Sequence, residues 1–292
     1  MNPSATISNI SGLARKAQAA ILPTRRDIRF DLPAEHIADW NKGSVHLSQF
    51  MNTLSIFFPV GERFFIDAVR QYRDRITDPE LQKAVTAFIG QEAMHGREHE
   101  DYNELLFARV PEAAQVERFV FALLENIKKL PPRMRLSATI ALEHFTAILA
   151  NELLSEPRVL ENAEPRFARL WRWHALEETE HKAVAFDVWD TVMGRGTGAY
   201  LERTGGLVLA TVIFWSIAIP AYLAVLRREG KLTDLKGWRF FFQHSFTKVP
   251  FFPRLLKPYM DYFRRDFHPW DHDNRHFLDE IEATLGELRA AA

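Results

Sequence analysis

Residues 88–99 read FIGQEAMHGREH and residues 171–182 read WRWHALEETEHK, and each stretch contains a glutamate followed three residues later by a histidine. Residues three apart lie on one face of an α-helix, so each pair can present a carboxylate oxygen and an imidazole nitrogen to one ion. One such match is weak evidence, because both residue types are common on solvated helix faces. Two matches on separate predicted helices are much stronger. The pairs are Glu92 with His95 and Glu178 with His181.

A third glutamate falls at a height that matches the first motif. Glu62 lies 15 residues before Thr77, and Glu92 lies 15 residues after it. In an antiparallel helical hairpin that turns at Thr77, the two carboxylates would lie at the same height. At about 1.5 Å of rise per residue, both would be roughly 20 Å from the turn, deep in a helical bundle.

The second half of the chain repeats this arrangement. Glu143 and Glu178 are nearly symmetric about a predicted loop at 156–164. Glu152 competes with Glu143 for this role, but it is too near the turn to reach the height of Glu178. The predicted metal ligands are Glu62, Glu92, His95, Glu143, Glu178 and His181.

These six side chains would be very costly to bury without cations, because no solvent stabilises their charge. Two divalent ions cancel the charge of four carboxylates. The chain contains no cysteine, which excludes thiolate sites, iron–sulfur clusters and disulfides. Oxygen-rich ligation with one imidazole per ion favours two iron ions, with manganese or zinc as alternatives. Glutamates from two helices and Glu-x-x-His motifs from two others are typical of ferritin-like four-helix bundles with two metals.

The fold class predicted for the 292 residues is all-α. Apolar residues recur with a spacing near 3.6, and alternating β-branched residues are scarce. We predict a leader with short helical pieces at 1–43, a ferritin-like metal-binding bundle at 44–198, and additional helices at 199–292 that pack on the bundle or a membrane. The long helices of the first two regions are predicted at 45–75, 78–108, 112–129, 131–155 and 164–194.

Two further histidines share a helical face with the motifs. His99 lies one turn after His95, and His174 lies one turn before Glu178. They could be extra metal ligands, proton carriers or hydrogen-bonding partners of the ligands. We expect the last role for both.

Several polar residues adjoin the motifs without sharing their face. His144, Glu177 and Glu180 point about 100° or more away from the ligands next to them, which favours contact with solvent or with the back of a ligand. Asp187 and Asp190 could hydrogen-bond a ligating histidine, but the sequence does not fix their direction.

Residues 205–226 form a run of 22 residues without a charge, which is long enough to span a membrane. Between Arg203 and Arg265 there are 11 Lys or Arg against 3 Asp or Glu, and twelve aromatic residues lie between Trp238 and Trp270. Basic and aromatic residues together suit an anionic membrane surface. The alternatives are a buried packing helix at 205–226 and aromatic side chains that cover a hydrophobic substrate pocket.

Other features exclude or disfavour several classes of protein. The net charge of −1 provides no attraction to nucleic acid. Gly-x-Gly-x-x-Gly, P-loop and Gly-x-Ser-x-Gly motifs are absent from the sequence. No signal peptide is evident at the start, so we expect a cytoplasmic protein that could associate with the inner face of the membrane. The oligomeric state is left open.

Four segments resemble a known bacterial family labelled predicted metal-dependent hydrolase, which is itself similar to the ferritin-like di-iron carboxylate proteins. The likeness runs from about Arg25 to His276. It implies the helical fold and a metal site at the six ligands named above, and it leaves the reaction open. The segments are FFPVGERFF at 57–65, FIGQEAMHGREH at 88–99, ALEHFTAILANELL at 141–154 and WRWHALEETEHKAVAFDVWD at 171–190.

The function that we expect is O2-dependent oxidation of a hydrophobic or lipid-like substrate at a di-iron centre, since an apolar shell keeps reactive oxygen species from water. The alternative enzyme follows the family label: two metals that activate water for hydrolysis, with a spare carboxylate as base. A third hypothesis is metal storage or a membrane-associated scaffold without turnover.

Overall fold

A computed structural model of the chain describes residues 21–281 and residue 286. In this part of the chain the regular structure is helical, with a single β-bridge between Asn41 and Ala163, so the all-α prediction is confirmed. The predictions for residues 1–20 and for most of the last ten residues lie outside the described residues. The helices are α1 (Val45–Ser55), α2 (Phe58–Arg70), α3 (Pro79–Arg109), α4 (Pro111–Ile127), α5 (Pro132–Ser155), α6 (Pro165–His181), α7 (Val184–Met193), α8 (Thr197–Arg228), α9 (Leu235–Phe242) and α10 (Phe251–Asp261).

Most of these helices begin where the sequence places a capping residue or a proline. The Asp78 side chain accepts a hydrogen bond from the backbone N–H of Glu80, and Pro79 occupies the first turn of α3. Glu164 accepts two backbone hydrogen bonds at the start of α6. Gly194 ends α7 with a φ of 68°, a conformation that glycine adopts without strain.

The single helix predicted at 45–75 is wrong, because the structure divides it into α1 and α2 at Ile56 and Phe57. Pro59 causes the break. It has no N–H to donate to the carbonyl of Ser55, so the helical hydrogen-bond ladder is interrupted there. The side-chain amide of Asn103 donates to that carbonyl instead, at 3.0 Å. The break is therefore tied directly to α3.

The helix predicted at 164–194 is also divided. It ends as α6 at His181 and resumes as α7 at Val184, with Lys182 and Ala183 forming a turn between them. Neither a proline nor a glycine accounts for this break.

Four helices surround the centre of the structure. α2 packs on α3, α5 packs on α6, and further contacts join α2 to α5 and α3 to α6. Buried apolar residues form two clusters along them, one containing Phe167 and Trp173 and the other containing Phe88 and Trp189. The bundle is thus closed on both sides of the residues at its centre. The ferritin-like assignment within the all-α class stays a prediction.

α8 is a 32-residue helix on the outside of this bundle, where it packs against α1, α4 and α5. Among the described residues it is the one helix long and apolar enough to cross a membrane by length and composition. Only 22% of its most apolar 18-residue window is buried. Most of the uncharged run at 205–226 is therefore not a buried packing helix.

α8 lies very close to α5 at Gly206. A Cβ at this position would collide with Oγ of Ser137 and lie 3.2 Å from its carbonyl oxygen, whereas a Cβ at Gly205 would meet nothing within 4 Å. We expect Gly206→Ala to destabilise the protein by about 1–2 kcal/mol, since overpacking exceeds the gain in helix propensity. The melting temperature should fall by roughly 2–6 °C.

The matched control is Gly205→Ala in the same helix, which should leave the melting temperature unchanged or raise it slightly. Equal melting temperatures for the two variants in a calorimetric scan would contradict this packing of α8 on α5.

Candidate metal centre

The structure brings all six predicted ligands into one buried cluster and adds His174 to them. Each of these seven side chains is at most 4% exposed. Their potential ligand atoms form three groups, and within each group these atoms lie within 4.8 Å of one another. The groups are Glu62 with His95 and His174, Glu92 with Glu143 and His181, and Glu92 with His95 and Glu178.

The polar atoms at the middle of this cluster fit a pair of cations. Buried polar atoms in proteins are nearly always hydrogen-bonded, because an unpaired one costs about 1–3 kcal/mol. Here nine such atoms on six residues have no hydrogen-bond partner, and all belong to types that bind divalent metals. They are both carboxylate oxygens of Glu62, Glu92 and Glu143, Oε2 of Glu178, Nδ1 of His95 and Nε2 of His181.

His181 is oriented by a residue on the opposite helix. Its Nδ1 lies 2.9 Å from Oε1 of Gln91, an acceptor that requires the proton on Nδ1. Nε2 is then free and faces three carboxylates, at 3.0 Å from Glu92, 3.5 Å from Glu178 and 3.8 Å from Glu143. This is the arrangement of a metal-ligating histidine with its outer nitrogen fixed by a hydrogen bond.

His95 is held in the same way from the other side. Its Nε2 lies 3.0 Å from Oε2 of Glu177. Nδ1 faces the cluster, at 3.9 Å from Glu178 and 4.0 Å from Glu92. Glu177 was predicted to contact solvent or the back of a ligand, and the structure places it in the second of these positions.

The segment before α1 completes the outer side of the cluster. Both terminal nitrogens of Arg26 donate to Glu180 at 2.8 Å, and one of them also donates to Glu177 at 3.1 Å. Gln91 donates to Glu180 at 2.6 Å. Burial raises the pKa of Glu177 to about 8, although Arg26 acts in the opposite direction. Arg26 thus holds Glu177, which orients His95, and it also holds Glu180. Glu180 in turn accepts a hydrogen bond from Gln91, which orients His181.

His174 takes part in the cluster more directly than expected. Its Nε2 lies 3.0 Å from Oε1 of Glu178 and 4.0 Å from Glu62. Its Nδ1 lies 2.8 Å from Nε2 of His99. Nδ1 of His99 in turn lies 2.8 Å from Oγ of Ser55, next to the break between α1 and α2. His174 therefore has the geometry of a third imidazole ligand, and His99 that of its hydrogen-bonding partner.

The carboxyl groups have very unequal proton affinities. Burial, reinforced by the neighbouring carboxylates, raises the pKa of Glu62 and of Glu143 well above the usual value. Burial would also raise the pKa of Glu178, but His181 and His174 outweigh it and hold that pKa well below its usual range. The cluster thus brings together carboxyl groups that resist ionisation and whose ionised form a cation would stabilise.

A glycine permits the close approach of α3 to this charge. A Cβ at Gly96 would lie 3.2 Å from Oε2 of Glu62, which is tighter than an ordinary contact. A larger residue at this position would displace the carboxylate.

The other candidates lie apart from the cluster. Glu152 lies 3.9 Å from Arg254, and His144 hydrogen-bonds the carbonyl of Pro258 at 3.1 Å. Asp187 pairs with His268 and Asp190 with Arg195, so neither hydrogen-bonds a ligand histidine. Sequence reasoning missed Gln91 and Arg26. Gln91 lies next to Glu92 in the first motif, but the sequence does not show that it faces His181 on the opposite helix.

Two cavities reach the cluster from its apolar side. One of about 860 Å³ is lined by Glu62 together with residues of α2, α4, α5, α8 and α10. A smaller one of about 90 Å³ is lined by His174 and Glu178. Phe58 borders both cavities. Its ring packs 4.7 Å from that of His174 and 4.6 Å from that of His99.

The comparison with known proteins agrees with this geometry. No curated protein and no solved structure matches the chain. A family model matches residues 24–273, which is most of the chain and includes all seven residues of the cluster. The family takes its description from metal dependence, which the unbonded carboxylate and imidazole atoms at the centre fit. The chain belongs to the family described as predicted metal-dependent hydrolase.

Proposed function

We propose that the chain is an enzyme that acts on an apolar substrate with two divalent metal ions held by Glu62, Glu92, His95, Glu143, Glu178 and His181. The observation that carries this proposal is the convergence of nine unbonded ligand atoms in one buried cluster, of which Glu62 also lines an apolar cavity. His174 is added as a seventh ligand. Iron is the proposed metal, with manganese and zinc as alternatives.

Hydrolysis is the reaction that we favour, because the family is described as metal-dependent hydrolases. Bound divalent ions would supply Lewis acidity and lower the pKa of water. The chain itself supplies the apolar walls that hold the substrate and exclude bulk solvent. Of the six predicted ligands, Glu62 is the one that lines the large cavity. Its carboxylate is thus positioned to hold or accept a proton on the substrate side.

Oxidation with dioxygen is the second candidate. Its support is the chemistry of the ligands, since four carboxylates and three imidazoles in a buried apolar setting suit redox-active iron. Two ions of iron would supply the electrons for this reaction. A site for storage without turnover has less support, because storage requires no large cavity beside the ligands.

The two reactions differ in their need for oxygen. We expect the zinc-loaded protein to hydrolyse p-nitrophenyl esters under argon, and Glu62→Gln to lower this rate at least about tenfold. The measurement is release of p-nitrophenol, with Glu152→Gln as a control that leaves the rate unchanged. If the zinc form is inactive and the reduced iron form consumes oxygen and gains near-ultraviolet absorption, oxidation replaces hydrolysis.

We also propose that the protein works in the cytoplasm at the inner face of the membrane. The support is the exposed apolar surface of α8, together with the excess of basic residues between Arg203 and Arg265 and the aromatic residues that follow α8. The net charge of −1 gives no reason to expect a nucleic-acid partner. Vesicle binding tests the membrane contact, as described below.

A further inference from the structure

The cavity of about 860 Å³ has a composition that restricts its ligand. Its volume lies in the range of about 300–1,000 Å³ that is common for ligand sites. Three of its lining residues are charged: Glu62, Arg133 and Glu202. Arg133 and Glu202 lie 3.5 Å apart and neutralise each other. Glu62, which is buried and whose carboxylate oxygens have no hydrogen-bond partner, brings an uncompensated acidic group to the wall.

The cavity is also long. Ala138, Leu142, Phe145 and Leu149 line it from one face of α5, where they follow each other at helical spacing. From the first to the last of them the helix rises roughly 16 Å. Residues of α8 form the facing wall, and the two helices close together at Gly206 and Ser137. A compact polar molecule would leave most of this length unfilled.

Its mouth opens on apolar surface. The outer lining residues include Leu130, Met134, Leu201, Leu209 and Leu256, whose exposed fractions lie between 41% and 65%. The exposed stripe of α8 continues from there through Val212 and Ile219. Large apolar side chains are seldom left exposed as a connected patch unless they meet a partner or ligand. A ligand that reaches the cavity over this surface can remain in contact with apolar atoms throughout.

We propose that this cavity binds one long unbranched alkyl or acyl chain, with part of the chain in contact with Glu62 at the metal centre. The identity of the reacting end of the ligand rests on the proposed function. The assignment of an alkyl or acyl chain to the cavity rests on the cavity alone. The alkyl or acyl chain can come from a free fatty acid or from a lipid in a bilayer. Both sources present the same methylene groups to the wall.

The first test measures chain-length dependence on the wild-type protein. Octanoate, dodecanoate and hexadecanoate are titrated as competitors of the fluorescent fatty acid cis-parinaric acid. Affinity should rise with each added methylene by about threefold to fourfold until the cavity is full, because each buried methylene leaves water. Equal affinities for octanoate and hexadecanoate would overturn the proposal.

The second test fills the cavity. Ala210→Trp on α8 and Ala138→Trp on α5 place an indole in it, and each should weaken hexadecanoate binding at least about tenfold. Ala224→Trp is the matched control, since Ala224 is exposed on α8 and does not line the cavity. Its affinity for hexadecanoate should lie within about twofold of that of the wild type. If both cavity variants retain their metal and still bind as wild type does, the assignment of the cavity is wrong.

The third test separates the two sources. The protein is sedimented with vesicles of phosphatidylcholine containing phosphatidylglycerol, at low and high salt. Sedimentation that weakens with salt indicates a bilayer source and interfacial attachment, while binding of cis-parinaric acid without sedimentation indicates a free fatty acid. Absence of both refutes the proposal.

Failure of the proposal that the cavity binds an alkyl or acyl chain is distinguishable from failure of the proposed function. If the protein binds two metals and hydrolyses p-nitrophenyl acetate but its affinity for fatty acids does not depend on their length, the proposed function stands and this substrate class is wrong. If the protein binds hexadecanoate but shows neither turnover nor oxygen consumption, the assignment of the cavity stands and the proposed function is wrong.

Discussion

Purified protein reconstituted with iron or manganese should contain about two metal ions per chain, and Glu92→Gln should lose most of them. Glu92 belongs to two of the three ligand groups; its Oε1 lies 3.0 Å from Nε2 of His181, and its Oε2 has no hydrogen-bond partner. An amide in its place provides a weaker ligand and removes one of the negative charges that the cations stabilise. We expect metal affinity to fall by at least about 100-fold, measured by elemental analysis after dialysis.

The control for this prediction lies on α5. Glu143 is part of the cluster, whereas Glu152 on the same helix is buried beside Arg254. Glu143→Gln should therefore lose metal and Glu152→Gln should retain it. Fewer than about one ion per wild-type chain after reconstitution, or equal loss in both variants, would show that the cluster does not bind a metal pair.

Removal of the metals should lower the melting temperature by roughly 10 °C, and the difference between the loaded and metal-free forms should increase from about pH 7 to pH 8.5. Burial raises the pKa of Glu62 and Glu143, so the metal-free fold binds protons that the unfolded chain has released. Its stability therefore falls as pH rises through this interval. His181, whose pKa is raised well above normal by Glu178 and Glu92 against the effect of burial, acts in the same direction.

Other groups do not obscure this difference. Burial lowers the pKa of His95 and His99, so in this interval both are largely neutral in the folded and unfolded states. Burial raises the pKa of Glu177 to about 8 and lowers that of Lys182 to about 7. Both residues lie outside the ligand set and titrate in the loaded and in the metal-free form. In chelator at pH 8, Glu143→Gln should melt above the wild type, because the amide is neutral without having to bind a proton. A difference in melting temperature between the loaded and metal-free forms that narrows as pH rises would refute this account.

The sequence was most informative where function depends on helical spacing. The Glu-x-x-His pairs and the two hairpin-matched glutamates need only the helix period and the turn positions, and the structure places all six in one cluster. The capping residues Asp78 and Glu164 likewise act within a few residues of themselves. Such local relations follow from the sequence because no distant contact can change them.

Contacts between distant segments could not be predicted in this way. Arg26 reaches Glu177 and Glu180 across 151 and 154 residues, from a segment without helical periodicity. The role of His174 depends on which helix faces it. The break at Pro59 was not predicted, and its stabilisation depends on the distant Asn103. These details require the relative placement of helices, which spacing along one helix does not contain.

The arrangement around Arg26 also determines when the centre can form during biosynthesis. Arg26 leaves the ribosome early, and its partners Glu177 and Glu180 follow about 150 residues later. A nascent chain that ends before His181 holds Glu62, Glu92 and His95 but lacks one of the imidazoles opposite them. The cluster is therefore complete only after Glu178 and His181 have been synthesised. Arg26 can therefore reach Glu177 and Glu180 only after the second half of the cluster has been synthesised.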